Sequence, residues 1–298
     1  MTRAARAALL VVIVLAGLVL VGGPLAIRWR EPDDGAMLPA DVPGRLVDVR
    51  GRRVHVVERG SGPVLLLVHG FGASTHDFEE HVLDPLAATH RVVALDLFGF
   101  GWSERRDDFA YGWPLWSDQI IGTMDALGIA KATVVGHSMG GAVGAVLAAR
   151  HPERVERLVL VDAFYPPEPK EISLVFRALL TPVVGELALA TVDDVSAPGF
   201  SAGHHARALA WARIRGTRRA MLQYVRDPTK LPELMAAYAD LRVPTLVLHG
   251  AKDQFVTYAA MRRAAPTIPG ATIVLLEGDH FPFRDDYERL VREIVAFR

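Results

Sequence analysis

Hydrophobic and polar positions along the 298-residue chain fall into short apolar runs separated by helical stretches. The runs are "PVLLLVHG" (63–70), "RVVALDLFG" (91–99), "KATVVG" (131–136), "RVERLVLVDA" (154–163), "PTLVLHG" (244–250) and "ATIVLLEG" (271–278). Several are near-continuous in Val and Leu rather than alternating. Strands covered by helices on both faces read this way, because neither face meets water. Helical periodicity follows most of them, over 76–88, 114–128, 139–150, 256–265 and 284–297. Ahead of them, "RLVDVRGRRVHVVERG" gives two alternating runs about Gly51-Arg52, the pattern of a β-hairpin.

The rhythm breaks once. Between Ala163 and Leu241 no strand-like run occurs for 77 residues; "FYPPEP" opens the segment and the rest is helical in pattern. Residues 164–240 therefore read as a helical cap set into an α/β core made of 45–163 and 241–298. Residues 31–44, "EPDDGAMLPADVPG", carry the Pro, Gly and Asp of a linker. Before them Ala7–Ile27 runs for 21 residues without a charged or polar side chain. At ~1.5 Å per residue such a helix spans the ~30 Å hydrocarbon layer, so residues 1–30 are expected to be a membrane anchor. A cleaved signal peptide is the rival reading, with a shorter apolar region and a small-residue cleavage site that this run lacks. Arginines flank the run on both sides (Arg3, Arg6, Arg28, Arg30). Charge therefore does not settle the orientation; a short basic tail before one anchor usually keeps its N-terminus inside, so the main domain is expected outside the cytoplasm.

Composition narrows the chemistry. A hydrophobic fraction of 51% supplies a buried core, and the formal net charge of −1 argues against nucleic acid as the main partner. With no cysteine, disulfides, thiolate nucleophiles and cysteine metal sites are excluded.

Residues 134–152, "VVGHSMGGAVGAVLAARHP", place one serine at a cramped strand-to-helix junction. Gly136-His137-Ser138-Met139-Gly140 fits G-x-S-x-G, in which a sharp turn projects the serine hydroxyl into a cleft. Side chains two residues to either side would clash there, hence Gly136 and Gly140. The helix that follows aims its N–H groups at the site, where they favour an oxyanion. A serine needs a base and an orienting acid. "HGAKDQFV" places Asp253 just beyond one strand, and "LLEGDHFPF" places His280 just beyond the last. Open α/β sheets build their clefts at such carboxyl ends.

These motifs, with "HGFG" (69–72), "DLFGFGWSE" (96–104), "LHGAKD" (248–253) and "GDH" (278–280), resemble the α/β-hydrolase family over roughly residues 46–298. The branch resembled carries a helical cap after the sixth strand. The resemblance implies a mostly parallel eight-stranded sheet and a triad of Ser138, His280 and Asp253. It also implies an oxyanion hole made by the backbone N–H groups of Phe71 and Met139, and no cofactor. Asp279 stands where many members carry glycine, and Asp96 matches a structural aspartate that braces the loop after its strand.

Other polar residues read more plainly. Asp162 also ends a strand on the cleft side and rivals Asp253. His69 reads as structural, His137 as pointing away from the cleft, and His55 and His249 as core or edge histidines. No motif surrounds His76, His81, His90, His204 or His205, and no cluster has metal-ligand spacing. Arg207, Arg213, Arg215, Arg218, Arg219 and Arg226 read as a solvated basic helix face in the cap. A patch facing anionic lipid or an acidic substrate is the sharper alternative. Taken together, the sequence predicts a membrane-anchored serine hydrolase acting on a carboxylic ester with an apolar or lipid-like acyl group. Carbon–carbon bond hydrolases of the same fold, which often carry Asn at the position of His137, and cofactor-free perhydrolases stay open. So does a ligand receptor that has kept the fold.

Overall fold

The computed structural model describes Glu31 and residues 37–298 except 173, 183 and 192–200, together with positions 5, 6, 9, 10, 12, 13, 17, 21, 22, 25 and 27. Those early positions are helical. Most of the expected anchor, Ala7–Ile27, lies outside the described residues. Among those that are described, no helix is long and apolar enough to cross a membrane.

The core opens with the hairpin β1 (Arg45–Asp48) and β2 (Arg53–Arg59), followed by β3 (Val64–Val68), α1 (Leu83–Ala87), β4 (Arg91–Leu95), α2 (Trp113–Ala126), β5 (Ala132–His137), α3 (Met139–Arg150) and β6 (Val155–Val161). Among the described residues of 164–240, the α-helices are α4 (Leu174–Leu180), α5 (Val184–Thr191), α6 (Ala202–Ala212), α7 (Thr217–Arg226) and α8 (Lys230–Ala239). The chain then returns to the core with β7 (Thr245–Gly250), α9 (Tyr258–Ala264), β8 (Thr272–Leu276), α10 (Pro282–Asp285) and α11 (Tyr287–Ala296).

The eight strands order as β1-β2-β4-β3-β5-β6-β7-β8. β1 and β2, and β2 and β4, pair antiparallel; every other pairing is parallel. The sheet is filled from its centre outward. Leu66, Leu67, Val68, Val93, Ala94 and Val134 have no exposed surface, whereas Ile273 and Leu275 on edge strand β8 are exposed. β3 is flanked by β4 on one side and β5 on the other, so the chain reverses direction across the sheet between β3 and β5. At such a switch point the loops leave in opposite directions and open a crevice. α3 closes the sheet beneath that crevice. Its small residues let it approach: a Cβ on Gly144 would sit 3.1 Å from Leu158 Cδ1.

Three helical expectations change at their ends. The stretch 76–88 is a 3-10 turn at Thr75–Phe78 and the short α1, because Asp96 Oδ1 accepts the Thr75 N–H (2.7 Å) and Ser74 Oγ accepts that of His76 (3.3 Å). The helix expected over 256–265 gives way to a 3-10 turn at Ala265–Thr267, which contains Pro266. The last helix divides at Asp286, whose carboxylate accepts the Glu277 N–H.

Two further expectations are corrected in and beside the cap. Arg218 is not on a solvated face: it is 1% exposed and meets Glu31. Arg226 pairs with Glu186, Arg219 with Asp107, and Arg207 donates to His76 Nε2. Alternate sides of one helix must face both the core and water, so a run of arginines cannot share one environment. Glu31, expected to open a free linker, is 2% exposed and bound to the start of α7.

Candidate active site

Ser138 stands between β5 and α3 with φ 51° and ψ −116°. Residues with a side chain rarely occupy that region. The packing enforces it. A Cβ on Gly136 would lie 2.3 Å from the Gly140 carbonyl oxygen, and one on Gly140 would lie 2.2 Å from the Val68 carbonyl oxygen. Only glycine fits either position, so the turn closes tightly on β3 and its one hydroxyl projects outward. The Ser138 N–H donates to the Val161 carbonyl (3.0 Å), and the Ser138 carbonyl accepts the Phe164 N–H (2.9 Å). Both bonds fix the turn to β6 and the start of the cap.

His280 Nε2 lies 3.1 Å from Ser138 Oγ, and His280 Nδ1 lies 2.7 Å from Asp253 Oδ2. The other Asp253 oxygen accepts the N–H groups of Phe255 (2.7 Å) and Val256 (2.9 Å). Three donors thus converge on one buried carboxylate, and its direction is fixed by charge-assisted bonds. With Nδ1–H donated to the carboxylate, Nε2 is left to accept from the serine hydroxyl. The three residues expected from the sequence meet in one hydrogen-bonded line, the order that a nucleophile, a base and an orienting acid require.

Two supports of His280 escape sequence reasoning. His137 does not turn away from the site loops. Its Nε2–H donates to the His280 carbonyl (2.8 Å), with the two rings 4.8 Å apart. Burial, reinforced by the neighbouring His280, holds His137 well below the ordinary histidine range, so it stays neutral. Asp279 Oδ1 accepts the Phe281 N–H (2.8 Å) while Arg284 bonds its other oxygen (2.8 Å), bracing the loop on its far side.

The loop after β3 runs alongside the nucleophile. A Cβ on Gly70 would lie 3.2 Å from Ser138 Cβ and 2.9 Å from His137 Nδ1. Gly72, in the left-handed region (φ 70°), turns the chain just after Phe71. The Phe71 backbone therefore borders the site, and Met139 opens α3, where first-turn N–H groups lack helical partners. His69 is structural: its ring bonds the Gly70 carbonyl (2.7 Å) and accepts the Leu97 N–H (3.0 Å). Asp96 accepts the N–H groups of Thr75 and Trp102 and pairs with His55 Nδ1 (2.8 Å). Burial alone would raise its carboxyl, but His55, His69 and the Thr75 N–H outweigh this and hold it at about 2.

Asp162 lies behind the acid rather than at the base. Its Oδ1 accepts the Gly250 N–H (2.7 Å) and sits 3.2 Å from His249 Nδ1. Burial first, and the charge of Asp253 second, push its carboxyl well above the usual range. Burial also holds His249 at about 4. Asp162, His249 and Asp253 bring three ligand-type atoms within 4.8 Å of one another, a proximity that sequence spacing hides. As a metal cradle the trio is poorly suited, since Asp253 is committed to three donors and Asp162 Oδ1 to the Gly250 N–H.

The walls are aromatic. Phe71 packs against Phe100 (ring centroids 6.1 Å apart), Phe176 of α4 (6.1 Å) and Tyr224 of α7 (5.8 Å). Phe255, 66% exposed, lies 5.2 Å from His280. Core loop and cap therefore share an apolar boundary beside the serine.

A family profile described as the alpha/beta hydrolase fold matches residues 63–186. Beyond that stretch, 2-hydroxymuconate semialdehyde hydrolase of Pseudomonas putida is 30% identical over 269 residues, 85% of this chain and 93% of its own. The chain belongs to the α/β-hydrolase family. Among solved α/β-hydrolase structures, a meta-cleavage product hydrolase from Pseudomonas fluorescens IP01 is 26% identical with a TM-score of 0.70, over 86% of this chain and 97% of that one. A membrane phospholipase A, described as a bacterial virulence factor, is 25% identical with a TM-score of 0.64, over 100% of this chain and 98% of that one.

Proposed function

We propose that this α/β-hydrolase is a membrane-anchored serine esterase that cleaves a carboxylic ester with an apolar acyl group. The carrying observation is the likeness to the membrane phospholipase A, which extends over 100% of this chain. The aromatic boundary of Phe71, Phe176 and Tyr224 suits an acyl chain. The reading puts the catalytic domain outside the cytoplasm.

In this reading Ser138 Oγ attacks the ester carbonyl as its proton passes to His280 Nε2. Asp253 keeps the imidazole in the correct tautomer and stabilises the imidazolium. The N–H groups of Phe71 and Met139 receive the oxyanion, each worth ~10²–10³ in rate. Collapse expels the alcohol, which takes the proton from His280. Water, activated by the same imidazole, then attacks the acyl-serine, releases the acid and restores Ser138. The protein's own groups supply every proton transfer.

Hydrolysis of a carbon–carbon bond is the second reading, and the named sequence relatives favour it over the ester. The 2-hydroxymuconate semialdehyde hydrolase and the meta-cleavage product hydrolase both cover most of this chain. His137 sits where enzymes of that kind often carry Asn.

The test is turnover of p-nitrophenyl esters from acetate to palmitate, beside loss of the 2-hydroxymuconate semialdehyde chromophore. Ester turnover that falls about 10⁶-fold in Ser138→Ala supports the proposal. Turnover of the semialdehyde alone assigns the carbon–carbon reaction. Failure of both, with no labelling by a fluorophosphonate, points to a ligand-binding member without turnover.

A further inference from the structure

Glu31 reaches the cap from outside it. One carboxylate oxygen accepts the Gly216 N–H (2.8 Å); the other accepts the Arg218 N–H (2.7 Å) and lies 3.4 Å from Arg218 Nη1. Gly216 is the N-cap of α7, is in the left-handed region (φ 97°) and carries no side chain to cap the helix itself. A distant carboxylate therefore fills the role that Asp, Ser or Thr plays at an ordinary N-cap. Arg218 extends the contact, donating to the carbonyls of Leu189 in α5 (3.0 Å) and Ala212 in α6 (2.8 Å). The ends of α5 and α6 and the start of α7 thus meet at one buried ion pair whose acid lies 187 residues away in sequence.

The pair lies at one end of a helix whose other end touches the site. Tyr224, on the last turn of α7, packs on Phe71 at 5.8 Å and on Trp116 at 5.1 Å. Ala220 seats on the loop after β4, where its Cβ would come within 2.6 Å of a Cβ on Gly99. Any slide of α7 along its axis moves Tyr224 across Phe71. Burial raises the stakes of the arrangement: removing Glu31 takes the acceptor from two N–H groups at the start of α7 and one carboxylate from the Arg218 guanidinium, which is 1% exposed.

We propose that Glu31 is a positioning residue: it fixes α7 in register and so sets how the packed Tyr224–Phe71 pair bounds the acyl chain beside Ser138. The acyl-length part rests on the ester reading; the fixing of α7 does not. Two measurements on the detergent-solubilised full chain separate them, with Glu31→Ala and the milder Glu31→Gln, which keeps an acceptor but loses the charge. Hydrogen exchange of peptides covering 217–226 is expected to rise in Glu31→Ala, less in Glu31→Gln, while strands β3 and β5 keep their protection. On esters, kcat/KM for long acyl chains is expected to fall ~10²-fold through KM, the scale of a small misplacement, with acetate within about twofold of the parent. Unchanged exchange over 217–226 overturns the proposal, as does loss of protection in β3 and β5 or an equal loss on every ester. If the parent turns over no ester, the ester reading fails and exchange alone decides the role of Glu31.

Discussion

At the level of single residues, Asp253 and Asp162 pose the sharpest question, since both end strands on the cleft side. Orientation separates them. Asp253 receives His280 Nδ1–H and two backbone N–H groups, while Asp162 receives the Gly250 N–H, and burial pushes its carboxyl well above the usual range. Asp253→Asn keeps the shape but favours the wrong imidazole tautomer, and kcat is expected to fall ~10⁴-fold. Asp162→Asn keeps an acceptor for the Gly250 N–H and leaves the His280–Asp253 bond intact, and is expected to cost less than about tenfold, ~1.4 kcal/mol. Steady-state kinetics on the two purified variants checks both, and the reverse ranking would move the acid to the sixth strand. The sequence made Ser138, His280 and Asp253 legible because each follows an apolar run and has a glycine in its turn, Gly136, Gly278 and Gly250. His137 was not legible as a support of His280, because the two are 143 residues apart and only folding brings a ring under that carbonyl. The same holds for Glu31, which lies in a stretch whose Pro, Gly and Asp content reads as linker.

Among the elements, the strand–elbow–helix unit carries the tightest constraint. Gly140→Ala puts a methyl 2.2 Å from one backbone carbonyl oxygen and 2.5 Å from another, neither of which can move without parting β3 from α3. Soluble folded protein is expected to be lost, by circular dichroism and by gel filtration. Gly203→Ala is the contrast. It lies in α6 with Ser201 Oγ at 3.8 Å as its near neighbour, so there is room, and helix propensity favours alanine by ~0.5–1 kcal/mol. A small rise in melting temperature is expected there. Parallel strands were legible from their unbroken apolar runs, and the hairpin from its alternation. Helix ends were less so: what stopped them were bonds from Asp96 and Asp286, side chains outside the helical periodicity.

Across the whole molecule, the sheet gathers residues 70, 138, 253 and 280 at the carboxyl ends of its parallel strands, and α4 and α7 pack against Phe71 beside them. The proposed anchor makes a separate claim. Full-length protein is expected to stay in the membrane pellet after alkaline carbonate treatment, and release into the supernatant would count against it. A mature N-terminus found between residues 20 and 40 would instead reveal a cleaved leader. Within this assembly one residue is held at odds with its own backbone. Ser138 is kept at φ 51° by neighbours that suit glycine, at a cost of ~1–3 kcal/mol. Overall stability is only ~5–15 kcal/mol, so that cost is a sizeable share. Ser138→Gly relieves it and removes the nucleophile in the same stroke. A library of this protein sorted for heat resistance alone would therefore enrich dead variants, and selection for robustness has to be run together with a screen for turnover.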